Sequence, residues 1–192
     1  MDIGQDFQNY YVKHLGKPSL DLHNFSNHIE SSMTPYILEE RELRATQIDI
    51  FSRLMRDRIL WVAGPVNDHM STIVQAQLMF LDSNDKADIT MHIDSPGGSV
   101  KSGLSMVDVM NYIACDIRTI NTGMAASMGS ILLGAGTKGK RSSLKFSRTM
   151  LHQSSGGFRG NIQDAEIDMV EWKKINQILF DLLGGYCGKT AK

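Results

Sequence analysis

The sequence predicts an α/β domain with a mainly parallel sheet. Stretches with strand patterning alternate with helical stretches of 12 to 15 residues along residues 58–183, the order expected of β–α crossovers. The passage Asp94-Ser-Pro-Gly-Gly-Ser99 joins an alternating strand to a helical period. The composition agrees: 192 residues with 42% hydrophobic and 21% charged content suit one compact domain with a real core.

Residues 1–32 are polar, hold His14, His23 and His28, and show no sustained apolar period. They read as a mobile arm or removable leader, with residues 33–192 as the folded domain. The three histidines lack helical or turn spacing and read as solvated rather than as metal ligands. From Thr34-Pro-Tyr-Ile-Leu38 the chain turns extended. Ile48, Phe51, Leu54 and Met55 then predict an amphipathic helix over 47–58. A buried-strand pattern over 58–63 closes on Gly64-Pro65, and a helix over 68–81 carries Met70, Ile73, Val74, Leu78 and Leu81. Residues 87–93 alternate as a strand, 100–113 follow as helix, 117–121 as strand and 127–134 as helix. Lys138-Gly-Lys-Arg141 suits a turn, 148–152 a strand, and 161–183 a long amphipathic helix with Ile162, Ile167, Val170, Ile175, Ile178 and Leu182 on one side. Internal repeats and low-complexity segments are absent.

The formal net charge of −1 gives no argument for nucleic acid or an anionic membrane as partner. No apolar run approaches the roughly 20 residues of a spanning helix. The first residues are too polar for a signal peptide. Cys115 and Cys187 lie far apart without metal-type spacing, which favours a reduced, cytosolic compartment. The twelve methionines read mostly as adaptable core filler.

The chemistry centres on Asn121-Thr-Gly-Met-Ala-Ala-Ser-Met-Gly-Ser130. Ser127 stands where a strand meets a helix, beside backbone N–H groups that favour negative charge, among small neighbours that let a substrate backbone come close. Taken alone, such a serine is more often a helix N-cap. The glycine pair of the 94–99 loop allows left-handed backbone angles and turns amides outward, as a nest for a phosphate or an oxyanion. Phosphate is the weaker reading, since neither nucleotide-binding glycine pattern is present; a plain β–α turn stands at even odds. His152 ends a strand at the sheet edge where α/β folds gather functional loops, so its imidazole is placed to take a hydroxyl proton. A core or surface histidine remains the alternative.

Ile93-Asp-Ser-Pro-Gly-Gly-Ser, Gly123-Met-Ala-Ala-Ser-Met-Gly, Gly136-Thr-Lys-Gly-Lys-Arg and Met150-Leu-His-Gln together resemble the ordered motifs of the Clp protease proteolytic subunits. The 25 positions from Ser127 to His152 match as well. The resemblance runs from about Met33 to the end. It implies a ClpP/crotonase-type fold of repeated β-β-α units with a protruding strand–helix handle. It implies, too, a homo-oligomer of two stacked seven-subunit rings around a closed chamber, with no cofactor and no metal. Ser127 would be the nucleophile, His152 the general base, and the backbone N–H groups of Gly98 and Met128 the oxyanion hole. Gly156, Gly157, Phe158, Arg159 and Gly160 look like the handle strand flanking the substrate cleft. Tyr112, Ile120 and Leu144 fit docking positions for an AAA+ unfoldase, whereas Thr90, His92, Thr122 and Ser142 stand where apolar side chains are common.

The implied activity is an ATP-independent serine endopeptidase acting in the cytoplasm on unfolded polypeptides delivered by that unfoldase. Two departures stand out. Ser154 takes the place of the family's proline, and no aspartate follows Asp181, whereas the family's acid lies about fifty residues beyond the histidine. Asp164, Asp168 and Asp181 all fall on the long helix, and Lys192 lies 40 positions past His152. Without an orienting carboxylate a loss on the order of 10⁴ in turnover is expected, so a noncatalytic ring-assembly subunit is the second reading. A crotonase-like acyl-CoA enzyme shares the fold but leaves His152 unexplained.

Overall fold

The computed structural model describes residues 36–41, 44–155, 157 and 161–189. The arm proposed for residues 1–32 lies outside them. The chain divides into two units, residues 1–53 and 54–192.

In the first unit, β1 (Tyr36–Arg41) and β2 (Arg44–Asp49) form an antiparallel hairpin in the register Tyr36↔Asp49 to Arg41↔Arg44. Helix α1 (Ile50–Arg56) follows. The helix expected over 47–58 therefore begins later, because Ile48 pairs with Ile37 and 47–49 belong to the ladder. The Asp49 carboxylate accepts from the Ser52 N–H at 3.0 Å, an N-cap that fixes the start.

The second unit is a five-stranded parallel sheet. Its strands are β3 (Ile59–Ala63), β4 (Ile89–Ser95), β5 (Ile117–Ala126), β6 (Arg141–Ser143) and β7 (Arg148–Met150), in the order β3-β4-β5-β6 with β7 also on β5. The ten-residue β5 runs five residues past its expected end at Asn121, and one edge serves two partners. Thr119–Asn121 pair with β6, and Met124–Ala126 pair with β7. Strand β6 replaces part of the turn expected at 138–141, and β7 stops at Met150, two residues before His152.

The helices are α2 (Asp68–Asn84), α3 (Val100–Tyr112), α4 (Met128–Gly134) and α5 (Ile162–Cys187). Alternation decides which sheet face is buried. Leu60, Val62, Ile89, Met91, Ile93 and Ile117 join Val74 and Leu78 of α2, Met106 and Val107 of α3, and Leu132 of α4 in one core. Each such side chain contributes roughly 1.5–3 kcal/mol of burial. Helix α5 continues past the expected Leu183 through Gly184 and Gly185, and stops where Gly188 turns left-handed (φ +66°) and Lys189 N–H donates to Gly184 O at 2.8 Å.

One side chain organises the turn between α2 and β4. The Arg58 guanidinium donates to Leu81 O (3.0 Å), Ala87 O (2.8 Å), Asp85 O and Asp88 O (both 3.3 Å) and Cys115 Sγ (3.2 Å). Leu81 O, in the last turn of α2, also accepts from the Asp85 N–H at 3.3 Å, and Arg58 adds a second donor there while serving the loop carbonyls that follow. Arg58→Ala is expected to lower stability by about 2 kcal/mol. A urea melt reads this as a lower midpoint at unchanged slope, and an unmoved midpoint would refute the clamp.

Candidate active site

Three β–α loops build the site. Ser95, fully buried, donates through its hydroxyl to Gly64 O (2.7 Å) and accepts from the Gly97 N–H (3.1 Å). Val66 N–H donates to Gly97 O (2.9 Å) and Ser99 N–H to Val66 O (2.8 Å). The loop 96–98 is thus laced to the end of β3, and the Gly98 N–H stays outside these bonds. Gly97 (φ +90°) and Gly98 (φ +149°) hold backbone angles that a side chain would strain.

Strand β5 reaches the same place by an irregularity. Its register with β4 shifts between Ile93↔Asn121 and Ser95↔Ala125. The Asp94 carboxylate fills the gap and accepts from the Met124 N–H at 2.9 Å. Asn121, fully buried, donates through Nδ2 to Arg148 O (2.9 Å) and to Thr149 Oγ1 (3.2 Å), tying β5 to β7. The sequence signal for Asn121 is a polar residue at an inward position of an apolar strand, and its role is not read from the sequence alone.

Ser127 then turns sharply, with φ 52° and ψ −122°. A non-glycine residue there costs on the order of 1–3 kcal/mol. The surrounding bonds hold it: Ser127 N–H donates to Met150 O (2.8 Å), and Ser127 O accepts from the Ser130 N–H (3.0 Å) and hydroxyl (2.6 Å). Ser127 holds the N-cap position of α4, but its hydroxyl makes no capping bond. Met128 opens α4, and its N–H has no partner within the helix.

Ser127, His152, Gly98 and Met128 line one cavity of about 290 Å³. Its apolar wall includes Val100, Ile131, Leu179, Phe180 and Leu183. The four residues singled out for nucleophile, base and oxyanion donors are therefore brought together. Ser127 is half-buried and His152 exposed, and no hydrogen bond joins their side chains among the described residues. Such a set can attack a carbonyl, shuttle a proton and cradle an oxyanion. Among the described residues no cluster of three His, Cys, Asp or Glu is arranged to hold a metal.

Residues 41–192 match the Clp protease family model. A 186-residue alignment covering 96% of this chain and 84% of the relative is 47% identical to an ATP-dependent Clp protease proteolytic subunit of Bacteroides fragilis (strain YCH46). A protein so named from Porphyromonas gingivalis is 44% identical over 97% of this chain and 85% of its own length. The chain belongs to the Clp protease family. The α/β architecture around the parallel sheet is that family's fold.

Other residues that the family resemblance singled out are placed as follows. Gly156, Phe158, Arg159 and Gly160 lie outside the described residues; Gly157 is exposed. Tyr112 ends α3 and is 79% exposed, and Leu144 follows β6 with its N–H on Asn121 O (3.0 Å). Ile120 is half-buried in a row across the sheet face opposite the core, in register with His92 and Ser142, and through His92 with Trp61. The Trp61 and His92 rings stack, centroids 4.7 Å apart. Burial pushes the His92 imidazole below the usual histidine range, and its Nδ1 is buried without a hydrogen-bond partner among the described residues. Asp164, Asp168 and Asp181 all stand on α5, and Asp181 accepts from Gln177 Nε2 at 2.9 Å.

Proposed function

We propose that this chain is the proteolytic subunit of a compartmentalised serine endopeptidase, in keeping with the relatives named ATP-dependent Clp protease proteolytic subunits. One observation carries the reading. The Ser127 turn leaves its hydroxyl uncapped and opens into the cavity that His152, Gly98 and Met128 also line. The Ser127 oxygen attacks the peptide carbonyl as the His152 imidazole takes its proton, and the same imidazole then protonates the leaving amine. The Gly98 and Met128 N–H groups receive the developing oxyanion. A water repeats the sequence on the acyl-enzyme. The apolar wall of the cavity accepts an apolar side chain beside the cleaved bond.

The chemistry itself uses no ATP. Unfolded polypeptides would be supplied by an AAA+ unfoldase in the cytoplasm and cut inside a chamber of two stacked seven-membered rings. Helix α5 supports the assembly: none of its residues is buried, and Ile162, Ile167, Val170 and Ile178 are exposed along it. The row Trp61, His92 and Ile120, with Tyr112 and Leu144, is the proposed docking face, and His92 and Ser142 make it more polar than an apolar loop would prefer.

The test is covalent. Incubation with a fluorophosphonate is expected to add one phosphonyl mass per chain, mapped to Ser127 and absent from Ser127→Ala. An unlabelled parent protein that still assembles would sink the peptidase reading and leave a noncatalytic ring subunit.

A further inference from the structure

The segment that carries His152 is held at both ends by bonds of different origin. Upstream, Met150 O accepts from the Ser127 N–H. Downstream, the Ser154 hydroxyl donates to Asn176 Oδ1 at 2.8 Å, a contact across 22 positions that reaches α5. Among the described residues, 151–155 make no other hydrogen bond. Leu151, His152, Gln153 and Ser155 are all exposed, so packing restrains the segment little. Ser154 and Asn176 are half-buried, and both line the cavity of Ser127 and His152.

We infer that Ser154 and Asn176 are positioning residues, whose bond pins the His152 segment to α5 and sets where the imidazole stands relative to the Ser127 hydroxyl. Asn176 sits within a 26-residue helix, so its amide is a fixed post. Ser154, two positions after His152, is the short arm that reaches it. An exposed segment tied only at Met150 would swing, and an imidazole displaced by about 1 Å costs up to on the order of 10²-fold in rate. The bland alternative is a polar contact that adds about 1 kcal/mol to stability and does nothing more.

The catalytic consequence rests on the peptidase reading above, so the experiment has two arms. In the first, the full chain carries ring-labelled histidine, with the His152 signals assigned through His152→Gln. Ser154→Ala and Asn176→Leu are both expected to shift or broaden the His152 ring signals. Ser154→Thr, which keeps the hydroxyl, and Asn176→Asp, which keeps the acceptor, should restore them. In the second arm, Ser154→Ala and Asn176→Leu each lower kcat on a short fluorogenic peptide about tenfold, with KM little changed. The double variant should be no worse than the poorer single one, since both remove one bond. His152 signals unmoved in both variants, or losses that multiply, overturn the inference. If the ring signals respond as expected and the parent cleaves no peptide, the peptidase reading fails and the positioning stands.

Discussion

Replacing His152 by alanine is expected to reduce peptide turnover by on the order of 10²-fold while leaving the fold intact, since no carboxylate among the described residues orients the imidazole and on the order of 10⁴ of the roughly 10⁶ an intact triad supplies is already missing. The size follows from how the residues act together: a serine hydroxyl without its base is a poor nucleophile, so removing the base costs about as much as removing the serine. The double variant His152→Ala, Ser127→Ala should therefore be hardly slower than either single one. What remains comes from the amides of Gly98 and Met128 and from the apolar wall, which neither substitution touches. His152 is exposed and makes no hydrogen bond among the described residues, so its truncation leaves no buried group unpaired and stability should hardly move. Steady-state hydrolysis of a fluorogenic peptide, with a thermal melt beside it, checks both halves. A loss under about tenfold would remove the imidazole from the mechanism, because a general base contributes at least 10²-fold.

The parallel sheet and its principal helices are legible in the sequence because their signals are local. The alternation at 87–93, the glycine pair after Pro96 and the apolar period of 100–113 each lie within one element. Ser127 and His152 are legible only as candidates, each by its residue type and its place beside a strand, and it is the family resemblance that singles them out. What depends on distant partners is not. The hairpin of β1 and β2 takes 47–49 from a stretch whose period reads as helix. Strand β6 has three residues, too few for a pattern, and exists because the long edge of β5 offers unpaired backbone, whereas β7 keeps Arg148–Met150 of the strand expected at 148–152. Gly184 and Gly185 look like a helix stop, yet only Gly188 adopts the left-handed turn that ends α5. Asn121 and the Ser154–Asn176 pair act across 22 to 28 positions, beyond any local window.

Gly97→Ala should lower kcat/KM by on the order of 10²–10³-fold, the loss expected when an oxyanion donor is displaced. A Cβ on residue 97 would stand 2.6 Å from the Ser127 Cβ, 2.7 Å from Ala126 O and 2.9 Å from the Met128 N. All three atoms belong to backbone or to the first side-chain atom, so none can rotate away. The added methyl must push either the Ser127 turn or the 96–98 loop, and both carry groups that line the cavity. Gly139→Ala separates this steric effect from backbone strain. Gly139 has nearly the same backbone angle, φ +86° against +90°, but nothing within 4 Å of its would-be Cβ. Both variants incur a strain of about 1 kcal/mol or more, and only Gly97→Ala collides with the site. The expected result is two proteins that melt earlier than the parent, one of which cleaves peptide normally. Equal activities in the two would mean that the 96–98 loop can yield without disturbing Ser127, and Gly98 would lose its place beside the oxyanion.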